Sequence, residues 1–193
     1  IEHHAVLDPA VALADEGFVV DRIPVDRWGR VDPEVLAAML DDDVALVAVM
    51  WANNEVGTIQ PVADIARVCR TRGVPFHCDA VQALGQIDVD VAGIPSVALS
   101  AHKVGGPVGV GALVLDRDQP VAPLVHGGGQ ERDVRSGTLD AAGIAGFAAA
   151  LAADTHDLTG LRDSLIDGIH AAVPEAVLNG HPEDRLANNV HFS

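Results

Sequence analysis

Three short polar clusters in this chain follow apolar runs, and their residue types can do chemistry together. Asn53-Asn54-Glu55 comes after Val44–Trp51, Asp79-Ala80-Val81-Gln82 after Val74–Cys78, and Ser100-Ala101-His102-Lys103 after the short stretch that starts at Val97. In open parallel sheets, ligands bind just beyond the carboxyl ends of the strands. If the three runs are strands of one such sheet, a carboxylate, amides and a lysine gather in one crevice. That is the donor set of a cofactor site.

Pyridoxal phosphate (PLP) asks for this set. A lysine amine holds it as an imine, and an Asp or Glu beside the pyridine nitrogen keeps that nitrogen protonated. Lys103 can supply the amine and Asp79 the carboxylate. Asn54 and Gln82 can offer amides to the ring oxygen, and Ser100 and His102 can donate to the phosphate. More ordinary roles compete for the same residues. Asp79 also suits a helix N-cap after a strand, Asn53 suits turn chemistry, and a lysine behind a strand is often just solvated. The run Gly127-Gly128-Gly129 lacks the Lys-Ser/Thr of a nucleotide-phosphate loop and reads as a flexible interface loop. His4, His77, His156, His170, His181 and His191 show no metal-ligand spacing, so no metal is expected.

The elements that must position these residues alternate along the first two thirds. Ala5–Asp15 is helix-like up to Gly17, and Phe18–Ile23 reads as a short strand. Asp32-Pro33-Glu34 opens a helix to about Leu40, with an N-cap and a first-turn proline. Val44–Trp51 is an apolar run of the kind buried on both faces of a sheet. Pro61–Arg72 is a helix closed by Gly73, followed by strands at Val74–Cys78, Val97–Ser100 and Val110–Leu115. This order predicts an α/β fold with parallel crossovers. Ala141–Ala153 and Leu158–Ala172 are helical, and Val177–Leu178 and Asn189–Phe192 read as strands of a smaller unit. The expected division is a large cofactor-binding domain over 1–153 and the start of a small domain over 154–193, hinged near Asp154–Thr159.

Composition narrows the partners. Twelve basic residues against 28 acidic ones leave a formal charge of −16. Such a surface repels phosphate backbones, so nucleic acid is not an expected partner. No apolar run approaches the ~20 residues that span a bilayer, and no signal-like leader opens the chain, so no membrane partner and a cytoplasmic location are expected. The two cysteines, Cys69 and Cys78, form no disulfide or metal framework and fit a reducing compartment.

Ser100-Ala101-His102-Lys103 with Gly105-Gly106-Pro107 resembles the lysine segment of class V aminotransferase-type PLP enzymes. Within that class, Asn53-Asn54-Glu55-Val56-Gly57, Asp79-Ala80-Val81-Gln82, His126-Gly127-Gly128-Gly129-Gln130-Glu131 and Arg135-Ser136-Gly137-Thr138 together resemble cysteine desulfurases. Glu2-His3-His4-Ala5-Val6 also fits. The motifs keep the family's order up to about Thr138.

The resemblance implies the PLP-dependent transferase type I fold, a mostly parallel sheet flanked by helices. It implies that His3 stacks over the pyridine ring and assists proton transfer. Asp79 pairs with the ring nitrogen, Asn54 and Gln82 contact the ring and its hydroxyl, Ser100 and His102 bind the phosphate, and Lys103 forms the Schiff base. Thr138 reaches the phosphate in a neighbouring subunit, which implies a homodimer with shared sites, and Arg135 and the glycine run line that interface. The implied reaction takes sulfur from L-cysteine, giving L-alanine and an enzyme persulfide. The persulfide would feed a sulfur-acceptor or iron–sulfur scaffold protein, for iron–sulfur cluster or thio-cofactor synthesis.

Selenocysteine lyase, another class V aminotransferase, and a non-catalytic chain that only dimerises or binds a sulfur acceptor are alternatives. The family's phosphate-cradling loop falls upstream of Ile1, and its persulfide cysteine and substrate-binding arginine fall downstream of Ser193. The chain is therefore expected to be a fragment without turnover of its own. Ala101 stands where many relatives have glycine, and Cys78, next to Asp79 on a strand, is expected to face away from the cofactor.

Overall fold

The computed structural model describes residues 1–153 and 156–193. Its helices begin and end where local chemistry dictates. His3 caps α1 (His4–Asp15), and the Asp32 carboxylate caps α2 (Pro33–Met39) by accepting from the Glu34 amide. The next helix, α3 (Val62–Arg72), stops at Gly73, whose φ of 70° is left-handed and whose amide bonds back to Arg70 O. Val62, Ile65, Ala66 and Cys69 form its buried stripe at helical spacing.

Four strands make one sheet in the order β1 (Val47–Ala48), β2 (Phe76–Asp79), β3 (Ser96–Ser100), β4 (Gly111–Leu115). The first three are parallel, with Val47 opposite Phe76 and Asp79 opposite Ala98. Hydrogen bonds from Val49 N to His77 O and from Trp51 N to Asp79 O carry the β1–β2 pairing beyond the strand proper. The carboxyl ends of three neighbouring strands therefore lie side by side.

The core sits between this sheet and the helices α2 and α3. Leu36, Ile65, Phe76, Cys78 and Val97 are 0–1% exposed. Each large apolar side chain buried there contributes about 1.5–3 kcal/mol. Leu186, 2% exposed, joins the same core from the far end of the chain.

Three expectations change. Phe18–Ile23 is not a strand: it pairs with neither outer strand of the sheet, β1 or β4, and Val19 stays 87% exposed. Its β-branched residues have no sheet to pack into, and propensity alone does not make a strand. The run from Val44 enters the sheet only at Val47, where its amide meets Pro75 O. The strand expected at Val110–Leu115 is present but runs antiparallel to β3. The link from Ser100 to Gly111 is too short for a crossover, which takes a dozen or more residues.

Beyond β4, the chain forms α4 (Ala141–Leu151), capped by Asp140, and α5 (Thr159–Ala172). The two C-terminal strand segments pair with each other, with Leu178 opposite Phe192 and mutual bonds between Val177 and Ser193. Of the expected hinge, Asp154 and Thr155 lie outside the described residues.

Candidate active site

Asp79 is the last residue of β2 and is 9% exposed. Its backbone is held from both sides: Trp51 N donates to its carbonyl, and the next amide, Ala80 N, donates to Ala98 O on β3. Oδ1 accepts from Val81 N at 2.9 Å and so holds the turn after β2; residues 80–87 form no helix for it to cap. That bond occupies one oxygen only. Oδ2 meets no donor among the described residues and is available at the strand ends. Gln82 follows in the turn, half-buried.

From β3 the chain passes into a single tight helical turn, Ala101–Val104. Ala101 is fully buried, its amide bonded to Val110 O at 3.1 Å and its carbonyl accepting from Gly106 N at 2.9 Å. A Cβ on Gly106 would sit 2.9 Å from that carbonyl and 3.0 Å from the Ala101 methyl, so the turn closes only around glycine. Ala101 itself is accommodated without exposure. Gly143 and Gly146 let α4 lie against the same turn, Gly146 opposite Pro107. Ser100 Oγ and His102 Nδ1 lie 2.7 Å apart and form a joined hydroxyl–imidazole pair. Lys103 is exposed and forms no ion pair among the described residues.

The first residues are pinned beside β1. Glu2 Oε1 accepts from Met50 N at 2.7 Å, and Asn53 Nδ2 donates to Ile1 O at 2.8 Å. His3 follows directly, and its Nδ1 accepts from Ala5 N at 3.1 Å. In the neutral ring this puts the proton on Nε2, away from the helix. Burial pushes the Glu2 carboxyl above the usual carboxylate range; the Met50 amide and the N-terminal charge oppose the shift, and the Asp79 charge adds to it. Oε2 of Glu2 is buried without a partner.

Asn53 Oδ1 accepts from both Glu55 N and Val56 N at 2.9 Å, so this residue does build the turn. Asn54 stands next in that loop, half-buried. Thr138, Arg135 and the glycine run are exposed in the stretch between β4 and α4, and Thr138 makes no hydrogen bond to the Lys103 turn. The backbone thus brings Asn54, Asp79, Ser100, His102 and Lys103 to one sheet edge, with Gln82 and His3 on the segments alongside. It leaves Thr138 outside that group.

Both thiols are buried, Cys69 at 1% exposure and Cys78 at 0%. Burial pushes the Cys69 thiol up to about 11, and raises Cys78 further, with the Asp79 and Glu2 charges adding. Neither is a nucleophile near neutral pH. Cys78 belongs to the hydrophobic core. Sequence reasoning passed over Glu2 as a group in its own right, and over Arg185 and Asn189. A buried guanidinium and a clamping amide carry no local pattern, since the loop carbonyls they hold, at Asn54, Glu55 and Val56, lie over a hundred residues away in the chain.

The donor set fits pyridoxal phosphate: a free lysine, a carboxylate with one open oxygen, and amide, hydroxyl and imidazole donors share an edge where sheets of this kind bind ligands. Comparison with known proteins agrees. An IscS-like cysteine desulfurase from Mycobacterium tuberculosis is 47% identical over 206 residues, covering 100% of this chain and 52% of that protein. Cysteine desulfurase IscS from Clostridium botulinum is 46% identical over 205 residues, covering 100% and 51%. The chain spans about half the length of the curated relatives it matches. A solved NifS-like protein superposes with a TM-score of 0.92 at 39% identity, covering 100% of this chain and 55% of the other. A structure of SspA in complex with cysteine gives 0.85 at 32%, covering 100% and 56%. A sequence model of the aminotransferase class-V family, whose members depend on pyridoxal phosphate, matches residues 1–157. With that match over most of its length, and a lysine turn and carboxylate at neighbouring strand ends, the chain belongs to the class-V aminotransferase family.

Proposed function

We propose that this chain is the cofactor-holding part of a cysteine desulfurase. The observation that carries the reading is the placement of Asp79, Asn54 and the Ser100–Lys103 turn at adjacent strand ends, in a chain 46–47% identical to cysteine desulfurases. Bound pyridoxal phosphate supplies an electron sink for a substrate amino acid. This chain's residues do the rest. Lys103 Nζ would hold the cofactor and, as a free amine, would carry the proton at the substrate Cα. Asp79 Oδ2 would keep the ring nitrogen protonated. Asn54 and Gln82 would offer amides to the ring hydroxyl, and the Ser100–His102 pair would donate to the phosphate. His3 would lie over the ring, with Nε2 left for proton transfer because Nδ1 is engaged by Ala5 N.

L-Cysteine is the proposed substrate, in keeping with the relatives' names and the SspA complex. A homodimer in which Thr138 reaches the partner's phosphate, a sulfur-acceptor or iron–sulfur scaffold protein as recipient, and a cytoplasmic location complete the proposal. No described helix is long and apolar enough to cross a membrane. With both thiols buried, the 193-residue chain has no sulfur acceptor of its own, so it is expected to bind cofactor without releasing alanine from cysteine.

The test is a titration of the chain with pyridoxal phosphate. A visible band that is lost in Lys103→Ala and weakened in Asp79→Asn supports the reading. No band in the unchanged chain contradicts it. Alanine release by the unchanged chain would show that the sulfur step needs no further cysteine.

A further inference from the structure

Asn53 ties the amides of the loop that carries Asn54, and the loop's carbonyls are held by a segment from the other end of the chain. Asn189 Nδ2 donates to Asn54 O at 3.2 Å and to Glu55 O at 3.0 Å. Arg185 donates to Val56 O at 3.3 Å, and Leu186 N donates to Gly57 O at 2.9 Å. His181 N donates to Thr58 Oγ1, and Ile59 N returns a bond to Asp184 O. Four successive carbonyls, from Asn54 to Gly57, are thereby tied to residues 185–189. Contact is close enough that glycine is needed on both sides. A Cβ on Gly57, at φ 77°, would sit 2.8 Å from Asn189 Oδ1, and one on Gly180 would collide with Val56 O.

Arg185 is an unusual centre for such a clamp. It is 3% exposed and has no carboxylate partner among the described residues; its guanidinium meets Asn179, His181, Val56 and Asn189 carbonyls instead. A buried cation is costly unless hydrogen-bonded; here both terminal nitrogens are engaged, while Nε is buried without a partner. Its planar fork spans carbonyls from two segments, which the point charge of a lysine cannot do. A fold that needed only to close its C-terminal segment would reach the same end with an apolar side chain. The cation and the Asn189 amide instead fix peptide planes around Asn54.

We propose that Asn189 and Arg185 are positioning residues for Asn54, locking the 54–57 backbone so that the Asn54 amide meets the cofactor ring hydroxyl. The C-terminal segment thus completes the cofactor site without touching it. This rests on the cofactor reading above.

The experiment uses the full chain, its Asn189→Ala and Asn189→Asp variants, and Asn54→Ala alone and combined with each. Pyridoxal phosphate affinity and the pH dependence of its visible band are read for all of them, with thermal unfolding as a fold control. Asn189→Asp replaces the donor with oxygens that face two carbonyls; Asn189→Ala only removes it. The expected result is a loss of affinity of about tenfold for Asn189→Asp, from disrupted polar contacts. The band's pH profile should move towards that of Asn54→Ala. In the Asn54→Ala background both Asn189 changes should have no further effect on the profile, because they act through that amide. Should Asn189→Asp not fold, Asn189→Ala carries the same comparison. Variants that melt earlier yet keep the parent's affinity and pH profile overturn the proposal and leave the cofactor reading standing. Equal shifts with and without Asn54 overturn it as well. A parent chain with no band overturns both.

Discussion

At Glu2 a carboxyl group shares a half-buried space with Asp79, and only one of its oxygens is hydrogen-bonded. Burial holds its folded pKa above the ordinary carboxylate value of 4.5. The folded chain therefore holds this proton more tightly than the unfolded one. Stability contributed here is present below 4.5 and is lost as pH rises through the folded value. Glu2→Gln keeps an oxygen for the Met50 amide and removes the titration. The melting temperature of the variant should match the parent's below pH 4.5 and exceed it at neutral pH. A constant offset across the whole range would contradict this. The two thiols give a second residue-scale outcome. With Cys69 raised to about 11 and Cys78 sealed in the core, a chromogenic disulfide reagent should label neither in the folded chain and both after denaturation.

At the scale of elements, the Lys103 turn is the piece most sensitive to a small change. Gly106→Ala places a methyl against Ala101 O and its Cβ, so the turn must shift. A destabilisation of about 1–3 kcal/mol is expected from such overpacking, measured by denaturant unfolding, together with weaker cofactor binding. A variant with parent stability and affinity would show that the turn has slack.

Much of this scale was legible in advance. Asp32-Pro33-Glu34 and Gly73 mark helix ends by chemistry that acts within a few residues, and both ends fall where expected. The apolar runs before Asp79 and Ser100 had the composition of buried strands, which fixed the polar clusters at strand ends. Phe18–Ile23 forms no strand because pairing is a property of the sheet and not of the run, and this run forms no ladder with the sheet. The clamp at Asn54 was invisible for a related reason: Asn189 and Arg185 look like ordinary polar residues until the fold brings them to the loop.

The whole molecule leaves apolar surface uncovered. Helix α1 buries no residue, and Phe18, Val19 and Leu124 are 53%, 87% and 95% exposed. Leu161 and Leu165 on α5 add 71% and 53%. Between β4 and α4, Glu131, Arg132 and Asp133 hold consecutive left-handed conformations, with φ from 50° to 64°. Such backbone is uncommon outside glycine and clusters where other contacts stabilise it. Large apolar side chains left in water favour association that removes them from it. The isolated chain should therefore sediment above its 20.0 kDa monomer mass at micromolar concentration, in a manner that added salt does not reverse. A monomer under those conditions would count against the proposed homodimer.

All of these outcomes are secondary to the role of Lys103. The most direct measurement is reductive trapping: the chain is incubated with pyridoxal phosphate, treated with borohydride, digested, and the modified peptide identified by mass spectrometry. The expected result is a single stoichiometric adduct on Lys103, lost in Lys103→Ala and sharply reduced in Asp79→Asn. No adduct, or one on the α-amino group of Ile1 with Lys103 unmodified, would contradict the assignment of this sheet edge as the cofactor site.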